Sequence, residues 1–133
     1  MPSQMSKRRN PKPLSGAGAA TIIRPRIAFG PACSLGPGKI DLLRAVADTG
    51  SISAGARALG LSYKRAWLLI DTLNRGFGRP VVERSVGGRG GGGARLTPLG
   101  AALVRHYAAI EAACQQAAAA ELAALRAVVS KGR

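Results

Sequence analysis

The stretch TGSISAGARALGLSYKRAW, residues 49–67, decides the fold. Gly50 stops one helix, and Ser51 stands where a side-chain oxygen can cap the first free N–H groups of the next. That second helix is short, Ser53–Leu59, and Gly60 ends it. Ser62 then caps a third helix from Tyr63 to about Phe77. Upstream, Lys39–Thr49 places Ile40, Leu43 and Val46 on one face with Leu42 and Ala47 beside it, which is helical spacing. Two short helices joined by a glycine and a tight turn have the proportions of a helix-turn-helix.

Downstream, Val81-Val82-Glu83-Arg84-Ser85-Val86 is a β-branched, alternating run. A loop of six glycines around Arg89 (residues 87–93) follows, and Ala94-Arg95-Leu96 returns. Strand, glycine-rich loop and strand predict a hairpin, and a basic hairpin directly after a helix-turn-helix reads as a wing. Thr97 and Pro98 are suited to the N-cap and first position of a final helix, about Leu99–Val129. Along it Leu103, Tyr107, Ile110, Cys114 and Ala117 recur at four-three-four-three spacing, a coiled-coil seam that Leu122, Leu125 and Val129 continue with a one-residue phase shift. An apolar stripe with no partner left in the chain predicts a homodimer, with Leu103, Tyr107, Ile110, Cys114, Ala117 and Leu125 at its interface. Toward the N-terminus, Arg26–Gly30 is a candidate strand.

Composition narrows the function. The 133 residues hold 20 Lys plus Arg against 6 Asp plus Glu, a formal charge of +14. This excess points to an anionic partner, with nucleic acid ahead of a membrane surface. Only 4% of residues are aromatic while 47% are apolar, so the core is built from Leu, Ile, Val and Ala. One histidine (His106) and two distant cysteines (Cys33 and Cys114) do not make a zinc site, and the expected metal content is none. Six scattered acids offer no catalytic cluster, so no catalytic residue is assigned and the chain is read as not an enzyme. No apolar run approaches the ~20 residues of a membrane span. Residues 1–24 carry Lys7, Arg8, Arg9, Lys12 and Arg24, no acid, and several prolines and glycines. They are expected to form a mobile basic arm that binds without sequence preference. The expected divisions are this arm, a winged helix-turn-helix over 25–98, and a dimerisation helix with a basic tail over 99–133.

The third helix has two legible faces. Ala66, Ile70, Leu73 and Phe77 should point inward, with Tyr63, Lys64, Trp67 and Asp71 opposite them. Ser62 and the free helix N–H groups are placed to hold a phosphate. Tyr63, Lys64 and Arg65 would reach phosphates or base edges, and Trp67 either contacts a thymine methyl or packs against the first helix or the wing. Ser51 and Ser53 cap the second helix and can also touch phosphates. Arg57 faces solvent or phosphate. Arg84, Arg89 and Arg95 could follow the backbone into the minor groove, or simply decorate a flexible tip. The glycine loop lacks the Gly-Lys-Ser/Thr ending of a nucleotide-binding loop. His106 reads as a surface polar residue with only Glu111 in range.

Thr49-Gly50-Ser51-Ile52-Ser53, Gly60-Leu61-Ser62-Tyr63-Lys64, Ala66-Trp67, Asn74, the glycine wing and Leu96-Thr97-Pro98-Leu99-Gly100 together resemble the N-terminal DNA-binding domain of the ModE-type molybdate-responsive transcriptional regulators. More broadly they are similar to LysR-type winged helix-turn-helix domains. The resemblance covers about half the chain. It implies a mainly α fold with a β-hairpin wing and a long C-terminal dimerisation helix. The implied function is that of a homodimeric, sequence-specific regulator of molybdate-uptake or molybdenum-enzyme genes that binds double-stranded DNA in the cytoplasm, on the nucleoid. Full-length members carry C-terminal molybdate-binding domains, for which no residues follow Arg133. The expected cofactor is therefore none, with a response to an oxyanion effector left open. The competing readings are a sequence-indifferent architectural DNA- or RNA-binding protein and an oxyanion-binding module.

Overall fold

The computed structural model describes residues 21–85 and 93–131. In chain order it holds β1 (Ile27–Ala28), β2 (Ser34–Leu35), α1 (Pro37–Thr49), α2 (Ile52–Ala58), α3 (Tyr63–Phe77), β3 (Val82–Arg84), β4 (Ala94–Leu96), α4 (Pro98–Ala117) and α5 (Ala119–Lys131). It is mainly helical, with two small antiparallel hairpins.

α1 is the central element and packs against α2, α3, α4 and β4. Its Ile40, Leu42, Leu43 and Val46 are fully buried, each burial contributing about 1.5–3 kcal/mol. Gly50 closes the helix at φ +74°, its N–H donating to the Val46 carbonyl at 2.8 Å. Ser51 caps α2 by accepting from the Ala54 N–H at 3.0 Å. α2 lies tight on α1, because a Cβ on Gly55 would come within 3.2 Å of the Val46 nitrogen. Ala66, Ile70 and Leu73 of α3 complete the core with Leu35, Ile52, Ala56, Val81, Ala94, Leu103 and Tyr107.

The wing is β3 against β4 in the register Val82↔Leu96, Glu83↔Arg95 and Arg84↔Ala94. Side chains from α3 and from the wing's own exit hold its base. Asn74 Oδ1 accepts from the Val81 N–H at 2.9 Å, and the Thr97 hydroxyl donates to the Pro80 carbonyl at 2.8 Å. The Thr97 N–H donates to the Val81 carbonyl at 3.0 Å, while its Oγ1 caps α4 by accepting from the Gly100 N–H at 3.1 Å. β4 is also tied to the turn after α1, its Ala94 N–H donating to the Gly50 carbonyl at 2.8 Å.

The expected strand within Arg26–Gly30 is present as Ile27–Ala28, and it is half of a hairpin, Ile27↔Leu35 and Ala28↔Ser34, whose second strand is too short to show a period. Two expectations need correction. The final helix is two helices, α4 and α5, separated at Ala118 (φ −97°, ψ 7°) with its N–H still bonded to the Cys114 carbonyl. No glycine or proline marks the break, so the sequence does not announce it. The basic arm does not extend free to residue 24. The Gln115 amide bridges Thr21 and Ile23, donating to the Thr21 carbonyl and accepting from the Ile23 N–H. Arg24 pairs with Asp41 at 2.5 Å and with Glu111 at 3.9 Å, and Tyr107 donates its hydroxyl to the Pro25 carbonyl at 2.5 Å. Arg24 is accordingly held more strongly protonated than usual, chiefly by its hydrogen bond to Asp41.

Two outcomes test this packing. A Cβ on Gly100 would sit 2.2 Å from the Val81 carbonyl oxygen, whereas one on Gly38 in α1 meets nothing within 4 Å. Gly100→Ala is expected to cost about 1–3 kcal/mol or more in thermal or urea unfolding. Gly38→Ala should stabilise by about 0.5–1 kcal/mol, and equal effects at both sites would overturn the close approach. Burial, with the nearby Glu111 charge, raises the pKa of the Tyr107 phenol above its ordinary value. The neutral phenol is therefore favoured by folding, and this contribution is complete below about pH 10 and declines as pH rises toward the folded-state value. Tyr107→Phe should be less stable at neutral pH and show a shallower alkaline decline. An unchanged slope would remove Tyr107 from the account.

Candidate nucleic-acid interface

The N-terminal turns of α3 carry the candidate site. Ser62 caps the helix by accepting from the Arg65 N–H at 2.9 Å, and Ala66, Ile70 and Leu73 fix its inner face in the core. Tyr63, Lys64, Arg65 and Trp67 are all exposed. Trp67 is 41% exposed and meets Tyr63 edge-to-face, with ring centroids 6.4 Å apart. The first two turns thus present an aromatic pair beside two cations, outward from a rigid base.

Ion pairing elsewhere leaves this turn positive. Asp41 and Glu111 hold Arg24 and Arg44. Asp71, on α3 itself, pairs with Arg75 at 3.2 Å. Lys64, Arg65, Arg57 and Arg84 have no acidic partner among the described residues. Close to this cationic turn, α2 and α3 are joined by the turn at Gly60 (φ +71°), where the Leu61 N–H donates to the Ala56 carbonyl at 2.8 Å. Such a surface suits an anionic groove, because the cations meet phosphates while the helix N-terminus adds its own positive end.

The remaining candidates divide. Ser51 is occupied as a cap and lies 3.4 Å from the Ser53 hydroxyl, and Ser53 is exposed. On the wing, Arg84 is exposed, but Arg95 is paired across the strands with Glu83 at 3.0 Å. A salt bridge at so open a position contributes little and can exchange for a phosphate. Arg89 and the arm residues Lys7, Arg8, Arg9 and Lys12 lie outside the described residues. Of the seam, Leu103 and Tyr107 are buried in this chain's own core and so are not available to a second chain. The interface reading is corrected there, because the α1 core needs a fourth wall. Ile110, Ala117 and Leu125 are exposed and Cys114 is half-buried. Glu111 is engaged by Arg44 rather than by His106, and Cys33 and Cys114 are free thiols. Sequence reasoning missed Leu68, 47% exposed on the outer face of α3. Its spacing of four from Lys64 was the signal that could have found it.

Residues 38–101 match the bacterial regulatory helix-turn-helix protein, lysR family. The chain is 50% identical over 78 residues to the molybdenum-pterin-binding protein MopB of Rhodobacter capsulatus, covering 59% of this chain and 29% of that protein. It is 48% identical over 71 residues to the DNA-binding transcriptional dual regulator ModE of Escherichia coli, covering 53% and 27%. The chain thus spans under a third of the length of these curated relatives. Among solved structures, the DNA-binding domain of CbnR in complex with DNA superposes with a TM-score of 0.53 at 24% identity, over 66% of this chain and 95% of that one. Full-length LysG of Corynebacterium glutamicum, an LTTR with its effector Arg bound, gives 0.52 at 25%, over 70% and 30%. Residues 38–101, folded as two helices about Gly60 with a β-hairpin wing behind them, thus match the LysR-type regulatory helix-turn-helix and are similar in sequence to the ModE and Mop proteins.

Proposed function

We propose that the chain is a cytoplasmic, nucleoid-associated regulator that binds double-stranded DNA in a sequence-specific way, as a homodimer, and acts on molybdenum-related genes. The observation that carries this reading is the N-terminal half of α3, where Tyr63, Lys64, Arg65 and Trp67 stand exposed, with no acidic partner among the described residues, on a helix whose other face is locked in the core. The names of the relatives support the molybdenum connection. The exposed Ile110, Leu125, Val128 and Val129 of α4 and α5 support a second copy as partner. Among the described residues no helix is long and apolar enough to cross a membrane. The reading includes no catalytic step and no resident cofactor.

Two recognition helices related by a two-fold axis would enter successive major grooves, which requires an inverted-repeat site. Selection of genomic duplex fragments near physiological salt, with and without molybdate, is expected to enrich such a repeat. Recovery of all fragments alike would replace this reading with a sequence-indifferent coating protein, and dependence on molybdate would reveal an oxyanion effector. On the selected site, Lys64→Ala and Arg65→Ala are each expected to weaken binding and, where the side chain meets a phosphate, to lower the slope of affinity against salt by about one. Removing residues 1–20 should weaken all duplexes alike. Loss of the preferred complex alone would make the arm a sequence-reading element.

A further inference from the structure

Lys64, Leu68, Asp71 and Arg75 follow one another at spacings of four, three and four, and all four are exposed. They form a single row along the outside of α3, opposite the buried Ala66, Ile70 and Leu73. Leu68 occupies the middle of this otherwise charged row. One exposed leucine needs no explanation by itself, but this one follows Trp67 in sequence, and Trp67 is already joined to Tyr63. Three large apolar side chains, 41–55% exposed, therefore stand on the two turns that also hold Lys64 and Arg65.

What the row lacks is equally informative. Between Tyr63 and Asp71 the helix offers no Asn, Gln, Ser or Thr, the types that pair with adenine or bridge to either base. Asp71 is held by Arg75. Apart from the Tyr63 hydroxyl, the polar groups available are two cations suited to phosphates or guanine. Apolar side chains can distinguish only one base edge in the major groove, that of thymine, through its C5 methyl group.

Resting on the DNA-binding reading above, we propose that Leu68, with Trp67 beside it, is a specificity-determining residue that reads thymine C5 methyl groups. The half-site then contains at least one thymine whose methyl, rather than its hydrogen-bonding edge, is required. Lys64 and Arg65 fix the helix on the backbone so that the apolar contact falls in register.

Deoxyuridine differs from thymidine only in lacking this methyl. The test replaces each thymine of the selected site in turn by deoxyuridine and measures affinity by fluorescence anisotropy with the full chain. At one or two positions per half-site the replacement should lower affinity about fourfold, the worth of one buried methyl group. Leu68→Ala should bind the thymine site more weakly and discriminate less at those positions, with an unchanged melting temperature because the side chain is exposed. Lys64→Ala should weaken both duplexes equally and keep the ratio. Equal affinity for every thymine and uracil duplex, with sequence-specific binding intact, would overturn this assignment alone. Absence of any preferred site would overturn the DNA-regulator reading and this one with it.

Discussion

With six carboxylates for twenty lysines and arginines, the position of each acid decides which cations can meet a partner. Asp41 and Glu111 lie where the N-terminal segment, α1 and α4 converge, and they hold Arg24 and Arg44 there. Asp71 holds Arg75 toward the far end of α3, and Glu83 holds Arg95 on the wing. Partly exposed pairs of this kind contribute about 0–1 kcal/mol each to stability. Their larger consequence is electrostatic, since the positive field is cancelled at the joints of the fold and left intact at the first turns of α3. An acid moved to position 64 or 65 would change the fold little and the surface field greatly.

A cationic turn is useful only if it is held still, and two close contacts do this. Tyr107, fully buried, binds the N-terminal segment through its hydroxyl and carries Arg44 over its ring at 6.0 Å. One α4 side chain thus anchors both α1 and the chain leading into it. At the other end of the domain Gly100 lets α4 approach the Val81 carbonyl to a distance that no side chain would permit. Thr97 and Asn74 then fix residues 80–81, the lead into β3, from two sides. The wing base, α3 and the start of α4 are therefore one mechanical unit, and α5 extends from it with Leu125, Val128 and Val129 uncovered.

Much of this was legible before any coordinates, and for local reasons. Ser51, Ser62 and Thr97 act as caps where the sequence places them, because capping needs only a side-chain oxygen a few residues from free N–H groups. Gly50, and Gly60 between the two helices, take the positive φ that ends a helix. The inner face of α3 follows from period alone. What escaped depends on distant contacts. The β2 strand is two residues long. The docking of residues 21–25 rests on Gln115, Asp41, Glu111 and Tyr107, which lie far off in sequence. The same cause misdirected the seam, for Leu103 and Tyr107 have the spacing of an interface but are used by a core that a linear pattern does not display. Leu68 was passed over because a leucine at a polar position looks incidental until its neighbours are seen to be uncovered as well.

The apolar part of the α3 surface and its cationic part do different physical work. On the proposed reading, contacts from Lys64 and Arg65 to phosphates would release counterions, so they would weaken steeply with salt and be nearly the same on any sequence. Contacts from Trp67 and Leu68 to a base edge would remove apolar surface from water and vary little with ionic strength. A surface built only from the first kind would coat DNA, and one built only from the second would seldom arrive. Here the two adjoin on fewer than two turns of one rigid helix, so on the proposed reading an encounter along the backbone would carry the apolar face directly past the base edges. Raising the salt should then erode binding to all sequences while leaving the ratio between sequences largely in place, because discrimination belongs to groups that carry no charge.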